Sequence, residues 1–159
     1  MGYILGITVS ARTTAAQFRP GSKGLDADGN EYLYVQAGGA INAGDFVAID
    51  SAFSATQLTK TNADTLPIIG MASDGGFTSG QFGWVTTELV AAAARGGNML
   101  ANTTVNAPLY TTATAGHLSH VSTSQTLIAF AVATTTSGSN ARQGVRLMSP
   151  GAIRGTVGA

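Results

Sequence analysis

The best candidates for metal ligands in this chain are three oxygen-bearing side chains at alternate positions, Asp26, Asp28 and Asn30. Alternating carboxylate and amide oxygens begin a calcium-binding loop, but that loop also needs a glycine at its sixth position and a glutamate at its twelfth. Here the glycine, Gly29, is fourth and the twelfth residue is Ala37. The spacing therefore predicts a tight turn and no metal site.

The only two histidines, His117 and His120, are three residues apart. In a strand this spacing places the two side chains on opposite faces, which is poor geometry for binding one metal ion. We interpret both as surface residues.

A glycine-rich patch offers a possible phosphate-binding loop. No Lys-Ser or Lys-Thr pair follows the patch and it opens no helix, so it lacks the features that bind phosphate. We interpret its members as hairpin turns between strands: Gly75, Gly76, Gly80 and Gly83.

The remaining chemistry-bearing residues form no recognisable active site. The eight Asp and Glu residues are scattered, without the paired carboxylates of glycosidases. The eight Lys and Arg residues form no basic stripe for nucleic acid. The densest basic group is Arg142, Arg146 and Arg154, which suits a solvated face, with a charge-paired partner contact as the alternative. We predict no enzymatic activity, and no catalytic, cofactor-binding or metal-binding residue.

Four aromatic residues suggest an alternative function, a receptor- or glycan-binding module of a virion fibre or turret. Tyr32, Tyr34, Trp84 and Tyr110 could each stack on a sugar ring. Their neighbours alternate as in buried strands, however, which favours core or interface positions.

The composition is poor in charge. Charged residues make up 10% of the chain, against about 25% in a typical soluble domain, and the formal net charge is zero. A neutral, weakly charged surface favours association. We therefore expect much of the surface to be covered by other copies or by a partner. An ordinary β domain rich in small residues is the alternative.

Three further sequence features bear on cellular context. There is no cysteine, which excludes disulfides and thiolate chemistry. No window approaches the eighteen or so apolar residues of a membrane span. The N-terminus lacks the features of a signal peptide or a myristoylation site. We expect a protein that is made in the cytoplasm and has no membrane partner.

The strongest organisational signal is an internal repeat of about sixty residues. The copies lie at about 40–85 and 103–148, and each contains three short apolar runs separated by turn residues. Matched small residues include Ala72 with Ala133 and Gly83 with Gly144. Such runs are typical of strands in a β-sandwich or barrel, so we predict an all-β fold with a duplicated three-strand unit.

Residues outside the repeat complete the predicted domain plan. Residues 1–30 are rich in turn formers and indicate an extended N-terminal arm, and residues 149–159 form a glycine-punctuated tail. The β domain between them spans residues 31–148. Residues 88–97 fit either a short helix with a glycine C-cap or a continuing strand, so we expect at most one short helix.

The first strand of the β domain has a clear two-residue period. Asp28-Gly29 predicts a tight turn. After it, residues 31–36 place Tyr32, Tyr34 and Gln36 on one face and Leu33 and Val35 on the other.

Three motifs of the first copy resemble the small head-decoration, or capsid cement, proteins of tailed bacteriophages. That family shares a Gly-Asp-x-Val strand, a Gly-small-Ala strand and a Gly-x-x-Gly-x-Val strand, often followed by a degraded second copy. The matching runs are Gly44-Asp45-Phe46-Val47, Gly70-Met71-Ala72 and Gly80-Gln81-Phe82-Gly83-Trp84-Val85. The likeness covers about residues 36–148, and the long region before Glu31 departs from it.

The resemblance implies a compact β-barrel or β-tulip domain that forms a homotrimer on the outer capsid surface of a virion. Its partners would be the major capsid protein and other copies of itself, and it would stabilise the shell by contact, with no cofactor and no nucleic-acid contact. The long N-terminal arm would then order on the shell.

Overall fold

A computed structural model describes residues 2–66, 68–88, 96–100, 107–121, 127–131 and 141–147, the last two ranges as backbone together with the Val145 side chain. The described elements are mostly short strands. They are β1 (Tyr3–Leu5), β2 (Arg12–Thr13), β3 (Lys23–Leu25), β4 (Glu31–Ala37), β5 (Phe46–Ile49), β6 (Ser54–Gln57), α1 (Lys60–Thr65), β7 (Ile68–Met71), β8 (Phe82–Glu88), β9 (Gly96–Met99), β10 (Pro108–Thr111), β11 (Leu118–Ser119), β12 (Leu127–Ala131) and β13 (Ala141–Leu147).

Five strands of the first half close into a ring in the order β4, β6, β5, β7 and β8. The β4–β6 pairing is parallel, whereas the other pairings, including the closing pairing of β8 with β4, are antiparallel. Closure leaves fewer exposed strand edges than an open sheet of the same strands.

The second half repeats this topology in a closed barrel of β9, β11, β10, β12 and β13. Its β9–β11 pairing is parallel and its other pairings are antiparallel. Each strand of the second ring therefore has a counterpart at the same place in the first. The prediction of an all-β barrel fold is confirmed. The three predicted runs of each copy are strands of a ring that contains five described strands.

Strand β5 lies between two hydrophobic cores, which explains why all four of its residues are apolar and buried. Val47 and Ile49 belong to the core of the first ring. Phe46 and Ala48 belong to a second core that both rings build. The second ring supplies Met99, Leu109, Leu118 and Val145 to that shared core.

A buried carboxylate joins the two rings. Asp45 is fully buried, and its Oδ2 accepts hydrogen bonds from the Gln57 side chain at 2.7 Å and from the Asn42 backbone N–H at 2.8 Å. Its Oδ1 accepts from the Asn98 amide of β9 at 2.9 Å. Gly116 packs so closely that a Cβ there would lie 2.6 Å from the Asp45 carboxyl carbon. The junction is therefore specified by hydrogen bonds as well as by apolar packing.

The single described helix, α1, lies between β6 and β7 and is stabilised by a pair of capping hydrogen bonds at its N-terminus. Thr59 is its N-cap: its side chain accepts from the Asn62 backbone N–H, and the Asn62 side chain accepts from the Thr59 N–H. Of the predicted segment 88–97, the structure describes Glu88 as the end of β8 and residues 96–97 as the start of β9. Residues 89–95 lie outside the described residues.

Residues 2–25, which we call the N-terminal strap, are part of the first sheet. β1 pairs with β3 in parallel, and β3 pairs with β4. β2 pairs with Phe82 and Gly83, the first two residues of β8. The region expected to be an extended arm therefore contributes three short strands to the sheet of its own chain. The C-terminal residues 148–159 lie outside the described residues.

Candidate interaction surface

The N-terminal strap covers an aromatic cluster on the outer face of the β4–β8 pair. The cluster contains Tyr32, Tyr34 and Trp84, each at most 3% exposed. Their alternation with the inward Leu33 and Val35 follows the predicted two-residue period. The strap residues packed against the cluster are Ile4, Ile7, Val9 and Phe18. The strap therefore shields from water an aromatic face that the ring alone would expose.

Aromatic rings and one hydroxyl hold the strap in place. The Phe18 ring meets Tyr34 edge-on at 5.3 Å between centroids and lies 5.3 Å from Trp84. The Tyr34 hydroxyl accepts a hydrogen bond from the Gln17 backbone N–H at 3.1 Å. Three of the four residues considered as sugar platforms are thus buried, and Tyr110 is half-buried.

Arg12 fastens the middle of the strap. Its guanidinium donates hydrogen bonds to the carbonyls of Val9, Ala11, Gly75 and Gly76 at 2.7–3.2 Å. The same group lies 3.9 Å from the centroid of the Phe77 ring. Burial lowers the pKa of Arg12, and the nearby charge of Asp74 partly offsets this. A planar group with five donors suits these carbonyls and the ring together.

The glycine-rich patch is explained by close backbone approach. A Cβ at Gly83 would lie 2.9 Å from the Ala11 carbonyl of the strap, and one at Gly76 would lie 2.5 Å from the Ile41 carbonyl. Gly80 has a left-handed backbone, with φ of 83°. The patch therefore serves strap docking and a turn.

Strand β1 carries two of the three large apolar side chains that the structure describes as exposed. Leu5 is 75% exposed and Tyr3 is 44% exposed, and the only other large apolar side chain described as exposed is Val121, at 52%. β1 is also the first strand in the order of the eight-stranded sheet, so one of its edges has no neighbouring strand among the described residues. Apolar side chains on an open edge are the usual mark of a contact site.

A polar cluster fixes the position of Tyr3. The Tyr3 hydroxyl donates to Glu31 Oε2 at 2.6 Å, and Lys23 Nζ lies 3.0 Å from Glu31 Oε1. The bond to Glu31 raises the pKa of Tyr3, and the same carboxylate raises the pKa of Lys23. Burial opposes ionisation of Glu31, but the bonds from Tyr3 and Lys23 hold the pKa of its carboxyl below the ordinary value. Tyr3 is thereby preorganised although it is exposed.

The turn predicted at Asp26, Asp28 and Asn30 is present. The Asp26 carboxylate accepts from the backbone N–H groups of Asp28 and Asn30, both at 2.9 Å, and from the Tyr32 hydroxyl at 3.0 Å. Its oxygens are therefore used within the turn.

The other predicted positions do not form a site in the described part of the chain. His117 and His120 flank β11, with His117 half-buried and His120 exposed. Arg142 and Arg146 lie in β13, but their side chains, and all of Arg154, lie outside the described residues. Where the structure describes the chain, no three His, Asp or Glu side chains are grouped to hold a metal ion. None of the described helices is long and apolar enough to cross a membrane.

Comparison with protein-family models, with curated proteins and with solved structures finds no match to this chain. A functional proposal therefore depends on the paired rings, the strap and the free edge of β1.

Sequence reasoning missed the residues that matter most at this surface. Arg12 is a lone cation in a small, polar segment, and only its partners far along the chain reveal its role. The run Tyr3-Ile4-Leu5 was a usable signal, because it places two large apolar side chains on one face of a strand.

Proposed function

We propose that this chain is a structural virion protein that binds the outer surface of a bacteriophage capsid as a trimer and stabilises the shell. The observation that carries the proposal is the concentration of exposed apolar side chains on β1, at the edge of a scaffold of two closed rings. A cement protein works through such contacts and needs no catalytic group.

Two other features support this role. The shared core and the Asp45 junction tie the two rings together, as a protein that must resist pressure on a shell requires. Charged residues make up only 10% of the chain, so there is little charge to oppose close packing against another protein. Many weak contacts, repeated over a shell, would add up to stable attachment.

The test is reconstitution on heads of the same virus. Heads assembled from the major capsid protein alone are mixed with the purified chain, pelleted and imaged by cryo-electron microscopy. We expect saturable density on the outer surface, arranged as trimers, and a higher temperature for shell disruption. The matched control is the same heads without the chain.

Absence of binding to these heads would contradict the proposal. Specific binding on a glycan array, together with absence from the shell, would instead favour a receptor-binding module of a fibre or turret.

A further inference from the structure

A cavity lies between the N-terminal strap and the aromatic cluster beneath it. Its volume is about 210 Å³. An engineered apolar cavity of about 150 Å³ holds one benzene molecule, so this cavity has room for a single ring with a small substituent. Its floor is aliphatic and aromatic, and is formed by Ile4, Ile7, Phe18, Tyr34 and Trp84.

The strap packs closely at two of the residues that line this cavity. A Cβ at Gly24 would lie 2.8 Å from the Ile7 side chain, and one at Gly83 would lie 2.9 Å from the Ala11 carbonyl. Protein interiors contain few voids larger than a water molecule, and such voids are destabilising. A strap that fits closely at Ile7 and Ala11 and still leaves this space is better explained by a ligand than by loose packing.

The mouth of the cavity is polar and uncharged. The lining residues that are exposed to solvent are Leu5, Gly6, Thr8 and Gln17. None of the described lining residues carries a charge. The cavity therefore offers nothing to neutralise an ionised ligand and favours an uncharged one.

The hydroxyl of Tyr34 gives the cavity a directional polar group. Tyr34 is only 2% exposed, and its hydroxyl accepts a hydrogen bond from the backbone N–H of Gln17, another lining residue, at 3.1 Å. Among the described residues, this hydroxyl has no acceptor for its own proton. A buried donor without an acceptor is costly, so the cavity favours a ligand that carries an uncharged oxygen.

We infer that the cavity binds one uncharged aromatic ring with a hydroxyl group, and that this ring is a tyrosine side chain of the capsid partner. The ring contacts the apolar floor, and its oxygen accepts from the Tyr34 hydroxyl. Because Leu5 stands at the mouth, the cavity opens beside the exposed apolar contact of the proposed function. Aromatic side chains seated in pockets often carry much of the binding energy of an interface. The source of the ring rests on the proposed function, whereas the chemistry of the cavity does not.

The chemistry is tested on the purified chain by NMR titration with p-cresol, which is the tyrosine side chain as a free molecule. We expect saturable shifts at residues of the strap and the aromatic cluster, with a dissociation constant of about 0.1–1 mM. Toluene lacks the hydroxyl and should bind about three- to tenfold more weakly. Methyl glucoside, a ring of polar substituents, should not compete with p-cresol.

Three variants locate the binding. Ala11→Leu enlarges a side chain that lines the cavity and should weaken p-cresol binding at least about tenfold. The matched control is Ala16→Leu, the same change at an exposed strap residue outside the lining, which should leave binding within about twofold of the wild type. Tyr34→Phe should abolish the preference for p-cresol over toluene. Unchanged toluene binding in Tyr34→Phe would show that the cavity itself is intact.

Attachment to heads of the same virus tests the source of the ring. Ala11→Leu should weaken attachment at least about tenfold relative to Ala16→Leu, because the partner's side chain can no longer enter. If p-cresol binds but the two leucine variants attach equally well, the capsid source is wrong and the cavity serves a free phenolic compound.

The inference as a whole is overturned if p-cresol does not bind, or if methyl glucoside displaces it. Failure of every chain to attach to heads, the wild type included, contradicts the proposed function and with it the capsid source. The titration with p-cresol would still decide the chemistry of the cavity, so the two failures are distinguishable.

Discussion

Replacing Asp45 by alanine should weaken the coupling of the two rings more than any other single carboxylate substitution among the residues that the structure describes. The change leaves the Asn42 backbone N–H and the Gln57 amide without their acceptor. The Asn98 amide keeps a second bond, to the Ala43 carbonyl at 3.1 Å. A fully buried donor left unsatisfied costs about 1–3 kcal/mol. Because the bonds from Asn42 and Gln57 are only partly buried, water can replace part of the lost acceptor, and we expect the free energy of unfolding to fall by roughly 2–3 kcal/mol.

The assay is urea denaturation followed by circular dichroism, with the free energy of unfolding obtained by linear extrapolation. Asp50→Ala is the matched control. Asp50 accepts two backbone hydrogen bonds in a surface turn, from Ala52 and Ser54, where water can replace it. We therefore expect Asp50→Ala to lower the free energy of unfolding by about 1 kcal/mol. Equal losses for the two variants would refute the view that Asp45 is the polar link between the rings.

Three further predictions concern the strap and the shared core. Arg12→Lys should lower the free energy of unfolding by about 1–3 kcal/mol and speed proteolysis of the strap. The reason is that an ammonium group cannot reproduce the four carbonyl contacts of the guanidinium and its stacking on Phe77. An unchanged rate of proteolysis would contradict this prediction. The folded chain holds the pKa of Glu31 below its ordinary value of 4.5. Its ionised form therefore stabilises the fold above that pH, and the contribution is lost as the pH falls through the lowered pKa. The thermal midpoint should fall less steeply below about pH 4.5 in Glu31→Gln than in the wild type, and parallel profiles would argue against the effect. Gly97→Ala should lower the free energy of unfolding, measured by urea denaturation, by about 1–3 kcal/mol, because the added Cβ overlaps the Phe46 ring. An unchanged free energy of unfolding would show that the shared core is loosely packed.

The strands of the repeat could be predicted because their signals are local. Each of the three expected runs in a copy is apolar and bounded by turn residues, and they correspond to β5, β7 and β8, and to β10, β12 and β13. The faces of β4 followed from simple alternation. These features depend on neighbours in the sequence, which a reader of the sequence can see.

The closure of the rings could not be predicted in the same way. β9 is the run Gly96-Gly97-Asn98-Met99, which has no strand-like alternation, and β11 has only two residues. Both become strands because distant partners supply their hydrogen bonds. Tertiary context overrides weak local preference here.

The strap and the helix were missed for different reasons. The turn-rich composition of residues 1–30 indicates an arm, because the partners of β2 and β3 lie further along the chain, in β8 and β4. Helix α1 has a good capping pair in Thr59 and Asn62, but its six residues are too few to show a helical period. The free edge of β1 emerges only once the order of strands in the sheet is known.

The pairing of β2 with β8 has a consequence for how the protein is made. The strap leaves the ribosome before β8, yet its binding face is complete only when β8 has followed, about 75 residues later. At about 5–20 residues per second this is a wait of roughly 4–15 s. During that interval Tyr3, Ile4 and Leu5 belong to a nascent chain whose docking face is incomplete, so strap residues that are made before β8 complete their folding only after it.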